Sequence, residues 1–376
     1  MGKNQKIIVA QIMGKWVGGG VEAVVMNYYR NIDRSKIQFD FICDEDSTNI
    51  PYDEIDSLGG KVIICPKYQK VFKYQKELKR IFRENNYPIV HSHINVLSIF
   101  PLRAAKKAEV PIRIAHSHST SNRKEWKKNL LKSILKPFSK VYANRYMCCS
   151  EYAGRWLFGS KEYDKGNVYL LNNAIDLDKY RYNEIIRKSK REELGIEKNT
   201  FVVGHIGRFV EQKNHRFLID LFNEIHKDNK NSILLLVGQG PLMQEMMEKV
   251  NDLNLNNSVM FLGQRTDVNE LYQAFDIFLL PSLYEGLGMV MIEAQCSGLP
   301  CIASTEVPKV SKIRENVDFI KLTDSIEKWS SEINQYMITD RDANTIEIEN
   351  AGYNIKKEAG KLQRYYESLL QDERNN

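Results

Sequence analysis

The chain has no apolar run approaching the roughly 18 residues needed to span a bilayer, which argues against a transmembrane helix. Its first residues, Met1-Gly-Lys-Asn-Gln-Lys6, lead directly into Ile7–Ile12, and Gly14 interrupts that run too early for a secretory signal, so a cytoplasmic protein is expected. Cysteine is sparse. The six, at 43, 65, 148, 149, 296 and 301, lack metal-ligand spacing and sit in apolar contexts, as reduced core residues do. Charge of one sign is also scarce: a net +6 over 376 residues, without a recognition module, speaks against nucleic acid as a partner. The first glycine loop, Met13–Glu22, lacks both Gly-x-Gly-x-x-Gly and a Lys-Ser/Thr after its glycines. A nicotinamide dehydrogenase and a P-loop ATPase are thereby disfavoured.

What is present is alternation. Strand-like runs at Ile7–Ile12, Phe39–Cys43, Lys61–Cys65, Ile89–His93 and Arg113–His116 are separated by helical patterns. A second series follows at 200–206, 232–237, 259–262, 275–280 and 300–304. Strands alternating with helices predict parallel sheets covered by helices, an α/β class. A chain this long exceeds a single core of roughly 250–300 residues, so two domains are expected. The charged stretch 176–198, poor in strand pattern, is the expected linker. We therefore divide the chain into 1–178, 179–352 and a C-terminal helix, 353–376, that packs back toward the first domain.

Open parallel sheets bind ligands beyond the carboxyl ends of their strands, which directs attention to the loops there. After the first strand, Gly18-Gly19-Gly20 opens a helix; its amides suit a phosphate or sugar, unless the loop is a flexible turn. His91-Ser-His93 and His116-Ser-His118 end two equivalent strands. A zinc site is a weak reading because no acid or cysteine of known spacing accompanies them. Instead one histidine of the second pair is expected to bind a substrate hydroxyl, the others packing or orienting loops. Arg208 and Lys213 lie on one strand-end loop and suit a diphosphate. Val237-Gly-Gln-Gly-Pro-Leu242 and the loop carrying Arg265 are plausible edges of a nucleotide pocket. Finally, Pro281-Ser-Leu-Tyr-Glu-Gly-Leu-Gly-Met-Val-Met-Ile-Glu-Ala places Glu285 and Glu293 around a Gly-x-Gly turn that leads into a helix.

Residues 123–140 form a basic amphipathic segment, with seven Lys or Arg against one Glu and apolar residues at helical spacing. It is either a docking face for anionic lipid or an ordinary solvated helix. Asp44-Glu-Asp46 imitates a manganese-binding Asp-x-Asp, but the two-cation loop supplies the charge such a metal would bring.

Taken in order, Gly-Gly-Val-Glu, Asn172-Asn-Ala-Ile-Asp176, Gly-Arg-Phe-x-x-Gln-Lys-Asn-His, Val-Gly-x-Gly-Pro and Pro-Ser-x-Tyr-Glu-Gly-Leu-Gly-x-x-x-x-Glu-Ala resemble glycosyltransferase family 4. The likeness runs from Val9 to about Lys309, and is nearest to members that build bacterial exopolysaccharide or capsule. It implies a GT-B fold: two Rossmann-like α/β/α domains facing across a cleft, with the donor on the C-terminal domain. It also implies retention of anomeric configuration and a nucleotide-sugar donor, preferably UDP-linked; with the two-cation loop in place of a metal, a metal-independent hexosyltransferase without a cofactor is expected, and the basic segment adds the expectation of a polyprenyl-diphosphate-linked saccharide acceptor. The protein would then be cytoplasmic and peripheral on the inner face of the cell membrane.

Carried across by motif, Arg208 and Lys213 neutralise the donor diphosphate, Glu293 holds the ribose and Glu285 lies near the donor sugar. Gly286, Leu287, Gly288, Met289 and Val290 offer amides to sugar and phosphate. Gly19 and Gly20 close over the diphosphate, and His118, or less favourably His116, is the histidine of the cleft. The usual Pro-Asn-Gly is Asn172-Asn173-Ala174 here, which puts that turn in doubt. Competing readings are a nucleotide-sugar 2-epimerase and a catalytically silent nucleotide-sugar-binding partner.

Overall fold

The computed structural model describes residues 6–118, 135–337 and 340–375. It divides into two compact units, Met1–Ile175 together with Asn354–Asn376, and Asp176–Tyr353.

In the first unit, seven parallel strands are ordered β3-β2-β1-β4-β5-β6-β7. They are β1 (Ile7–Gly14), β2 (Ile37–Asp44), β3 (Lys61–Cys65), β4 (Ile89–Ser92), β5 (Ile112–Ser117), β6 (Arg145–Cys148) and β7 (Val168–Leu170). One apolar cluster, with Tyr29, Phe39 and Phe41, joins the sheet to helix Gly20–Asn31 and the C-terminal helix Ile355–Asn375. Another, with Tyr74, Leu78 and Leu102, joins the helices of Val71–Asn85 and Ile99–Lys107 to it. The C-terminal helix thus belongs to the first unit's core, through Leu362, Tyr366 and Leu369, although it follows the whole second unit in sequence. Gly352, with φ +85°, separates it from the short helix Ile346–Asn350.

The second unit repeats the plan with six parallel strands in the order β10-β9-β8-β11-β12-β13. These are β8 (Phe201–Ile206), β9 (Ser232–Val237), β10 (Val259–Gly263), β11 (Ile277–Leu280), β12 (Cys301–Ser304) and β13 (Val317–Ile320). The charged stretch 176–198 is folded: it holds helices Leu177–Tyr180 and Glu184–Glu193 and belongs to this unit. Its charge is structural, because Arg187 and Arg191 reach the two oxygens of Asp276 at 2.5 and 2.6 Å, and Asn183 caps the longer helix through the amides of Ile185 and Ile186.

Both sheets reverse their strand order at one point, between β1 and β4 in the first and between β8 and β11 in the second. Ligand crevices of doubly wound sheets form at such points, outside the carboxyl strand ends. The glycine loop and His91–His93 fall at one reversal; the loops 207–214 and 281–288 fall at the other. All six cysteines are free and buried, as their apolar contexts predict. Among the described residues no helix is long and apolar enough to cross a membrane.

Candidate functional site

At the second unit's reversal point, the β8 loop is built against backbone. Gly207 N–H donates to Val237 O (2.9 Å) and Phe209 N–H to Gln239 O (3.0 Å), so the loop continues the β8–β9 pairing past the strand ends. This close approach explains the Val-Gly-x-Gly signature. A Cβ on Gly238, whose φ is +136°, would stand 2.1 Å from Gly207 O, and one on Gly240 2.4 Å from Phe209 O. The loop then turns through the single 3-10 turn Glu211–Lys213 into the helix His215–Asp228, with Asn214 in the left-handed region at φ +56°.

The two halves of this site meet directly. Leu283 N–H donates to Gln212 O (2.8 Å) and Asn214 Nδ2 to Pro281 O (3.1 Å), binding the β8 loop to the β11 loop. Lys213 Nζ lies 2.6 Å from Glu285 Oε1, an ion pair whose side chains are 15% and 7% exposed. Ser282 Oγ donates to the same Glu285 oxygen (2.7 Å) and Gln212 Nε2 to the other (3.3 Å). Both oxygens of the Glu285 carboxylate are therefore held, whereas sequence suggested it only as a neighbour of the donor sugar. The Lys213 stem crosses Gly207, the residue before Arg208, where a Cβ would be 3.1 Å from its Cγ and Cδ. Arg208 is exposed, and its guanidinium has no hydrogen bond or ion pair among the described residues. One cation of the predicted pair is thus fixed and the other uncommitted.

Gly288, in the left-handed region at φ +75°, caps the helix Met289–Cys296, whose first-turn amides at Met289 and Val290 are those an α-helix leaves without intrahelical acceptors. Gly286 is exposed, with nothing within 4 Å of a Cβ placed on it, whereas Leu287 is buried. Gly286 has no steric reason in the protein itself to be glycine. Glu293, one turn in, receives the Tyr272 hydroxyl at 2.8 Å and also bonds the Tyr180 hydroxyl. Although part of the residue is accessible, burial pushes this carboxyl up to about 7, the two hydroxyls and Lys213 opposing the shift. Tyr180 and Tyr272 are functional candidates that sequence reading did not single out, although Tyr272 ends the stretch after β10 that it set at the edge of a nucleotide pocket.

Arg265 is engaged elsewhere. Its guanidinium holds Asp267 at 2.6 Å and Glu193 at 3.0 Å, in a network where Lys190 bonds Glu193, Asp267 and Glu270. It secures helix Glu184–Glu193 to the loop after β10.

In the first unit, a register shift in β1 between Ile12 and Gly14 releases the chain into the glycine loop. Glu22 Oε1 accepts from Val17 N–H (3.1 Å), and its other oxygen would be 3.1 Å from a Cβ on Gly19; Gly20 is open. The helix's own acid therefore folds this loop. The acids of Asp44-Glu-Asp46 also have local duties: Asp46 bonds Lys15 (3.1 Å) and Glu45 bonds Lys70 (2.5 Å). Burial, with Asp46 adding repulsion, pushes the Asp44 carboxyl up to about 6.

The four histidines of the two His-Ser-His runs come together. His91 Nε2 lies 3.0 Å from His116 Nδ1, and His93 Nδ1 lies 2.8 Å from His118 Nε2. Three of them, His91, His93 and His116, bring one nitrogen each within 4.8 Å of one another, a candidate cation arrangement that the weak zinc reading of the sequence left aside. The imidazoles bond each other in pairs instead. Burial holds all four well below the ordinary imidazole range, His118 at about 3, so each ring is neutral. His118 is the partly exposed member and its amide donates to Asn95 Oδ1 (2.7 Å). Most of the basic segment 123–140 lies outside the described residues; within 135–140, Lys140 is near Glu162 (3.8 Å) and Phe138 is half exposed.

Residues 18–179 match the family described as Glycosyltransferase Family 4, and residues 186–357 match Glycosyl transferases group 1. The chain is 33% identical to the putative glycosyltransferase EpsF of Bacillus subtilis (strain 168), over the full length of both. It is 26% identical to the UDP-Gal:alpha-D-GlcNAc-diphosphoundecaprenol alpha-1,3-galactosyltransferase of Escherichia coli, over 98% of each chain. Among solved structures, Anabaena Alr3699/HepE in complex with UDP and glucose superposes with a TM-score of 0.75 at 18% identity, covering 97% of this chain and 100% of that one. A glycosyltransferase from Rickettsia africae ESF-5 gives 0.77 at 17% identity, covering 97% and 99%. Such likeness shows the fold, which is GT-B. With two parallel sheets, both family matches and a full-length relative at one-third identity, this chain belongs to the glycosyltransferases, in the family whose N-terminal half is Glycosyltransferase Family 4 and whose C-terminal half is group 1.

Proposed function

We propose that the enzyme transfers a hexose from a UDP-linked donor to a lipid-linked saccharide, with retention of anomeric configuration, in the synthesis of an exopolysaccharide or capsule. The observation that carries the donor half is the β8 loop, with Lys213 fixed by Glu285 and Arg208 uncommitted on the same loop. A nucleotide diphosphate leaving group develops charge as the anomeric C–O bond breaks, and a preset ammonium with a free guanidinium is suited to meet it. The helix start at Met289 and Val290 adds amides, and Glu293 is the carboxylate for the ribose hydroxyls. On the acceptor side, His118 holds a neighbouring hydroxyl of the saccharide and so places the attacking one. The attacking oxygen bonds to the anomeric carbon, the bond from that carbon to the phosphate oxygen breaks, and the hydroxyl proton passes to the departing diphosphate. No metal or cofactor is required in this scheme.

The full-length likeness to a galactosyltransferase named for a diphosphoundecaprenol substrate supports the lipid-linked acceptor, and relatives named for capsule and amylovoran synthesis support the polymer. The basic segment 123–140 is assigned to an anionic membrane surface, placing the enzyme peripherally on the inner leaflet. The test is a panel of nucleotide sugars with a short polyprenyl-diphosphate N-acetylhexosamine as acceptor. A UDP-hexose should be consumed to give one product retaining the α configuration. Donor epimerised without acceptor, or a β-linked product, would refute the proposal.

A further inference from the structure

The hydrogen bonds that hold His118 extend beyond the strand-end motifs. Gln11, on β1, is opposite His91 in the β1–β4 register, and the C-terminal helix brings Tyr366 to the same place from the far end of the chain. The Gln11 carbonyl oxygen lies 2.7 Å from His93 Nε2, and the other nitrogen of that ring, Nδ1, is 2.8 Å from His118 Nε2. The Gln11 amide nitrogen donates to the Tyr366 hydroxyl at 3.5 Å, which is 2.7 Å from His91 Nδ1; His91 Nε2 in turn meets His116 Nδ1 at 3.0 Å. Two chains of hydrogen bonds thus leave a single amide.

A neutral imidazole has one donor and one acceptor nitrogen, and an amide oxygen only accepts. The Gln11 oxygen therefore requires a proton on His93 Nε2, which leaves His93 Nδ1 to accept, so the proton between it and His118 sits on His118 Nε2. Along the other chain, Tyr366 accepts from the Gln11 amide and donates to His91 Nδ1. His91 Nε2–H then donates to His116 Nδ1, and the remaining proton of His116 is on Nε2, a buried atom with no protein partner. Turning the amide over reverses every bond and moves every proton to Nδ1.

We propose that Gln11 and Tyr366 are positioning residues that lock all four histidines as Nε2–H tautomers, so that His118 presents Nδ1 as a hydrogen-bond acceptor to a hydroxyl of the acceptor saccharide next to the attacking one. The last clause rests on the acceptor-side role given to His118 above; the lock itself does not.

The two parts separate experimentally. Long-range proton–nitrogen correlation spectra of the full chain labelled with nitrogen-15 histidine, assigned with His118→Asn, report each tautomer. The wild type should show Nε2–H at all four positions. Gln11→Met, close in volume, should leave His118 a mixture of tautomers and lower kcat by about tenfold with the donor KM unchanged, the effect of one hydrogen bond. Tyr366→Phe removes one hydroxyl from an otherwise intact ring and should release His91 and His116 in the same way. Nδ1–H at His118 in the wild type, or an unaltered spectrum in Gln11→Met, would overturn the lock. Tautomers that shift as expected without any change in kcat would overturn the role of His118 toward the hydroxyl and leave the donor assignment standing.

Discussion

Donor affinity should depend on pH through Glu293. Its carboxyl is raised to about 7 because burial penalises the charge more than Tyr272, Tyr180 and Lys213 favour it. A ribose diol donates two hydrogen bonds, which suit the ionised carboxylate, so binding draws on the deprotonated fraction. With a value near 7 that fraction is about nine-tenths at pH 8 and about one-tenth at pH 6, so the dissociation constant should rise about tenfold between them, about 1.4 kcal/mol. The assay is calorimetric titration with a UDP-hexose at pH 6, 7 and 8. A nucleotide sugar is preferred to UDP, because a terminal phosphate titrates in the same range. Glu293→Gln should bind weakly at every pH and give a flat profile. In the absence of donor, the same group makes the folded protein bind its proton more tightly than the unfolded chain does. Stability is then lost as pH rises from about 4.5 to about 7, and Glu293→Gln should melt higher than the wild type at pH 8 but not at pH 5. A wild-type affinity constant from pH 6 to 8 would refute the reasoning.

Removing either cation should cost activity, but only Lys213→Ala should cost stability, about 2 kcal/mol by denaturant titration, because it leaves the buried Glu285 without its countercharge. Arg208→Ala should unfold like the wild type. Gly238→Ala should destabilise the protein by 2 kcal/mol or more, on the order of a clash and a strained φ combined, and the melting temperature reads it. Gly286→Ala, with open space around it, should leave the melting temperature within about 1 °C and weaken donor binding measured by titration. Liposomes containing anionic lipid should carry the protein in a flotation gradient, and high salt should release it.

The strands of the second unit were legible because they are short apolar runs bounded by glycine: β9 spans Ser232–Val237, as its pattern predicts. Their strand-end motifs marked Arg208, Lys213, Glu285 and Glu293 for the same reason, since a ligand loop in a doubly wound sheet must follow a strand. Strands β6, β7 and β13 went unread; β7 has three residues, and in β6 and β13 a charged residue, Arg145 or Asp318, breaks the apolar run that marks β11 and β12 at the same length. The stretch 176–198 read as a linker because its charges suggest solvent, whereas Arg191 and Lys190 are buried and spent on Asp276, Asp267 and backbone carbonyls. The two His-Ser-His runs were legible as the ends of two equivalent strands, whereas the pairing of their four rings shows only in the structure. Nothing local to them pointed to Tyr366, which reaches them only because the last helix returns to the first unit.

The loop carrying Arg208 and Lys213 is the centre of this account, and the single-turnover rate of Arg208→Ala at saturating UDP-hexose and acceptor tests it most directly. The rate should fall by a hundredfold or more, on the order of a lost oxyanion contact, in a protein that melts at the wild-type temperature. A rate within about threefold of the wild type would contradict the assignment of the departing diphosphate to this loop.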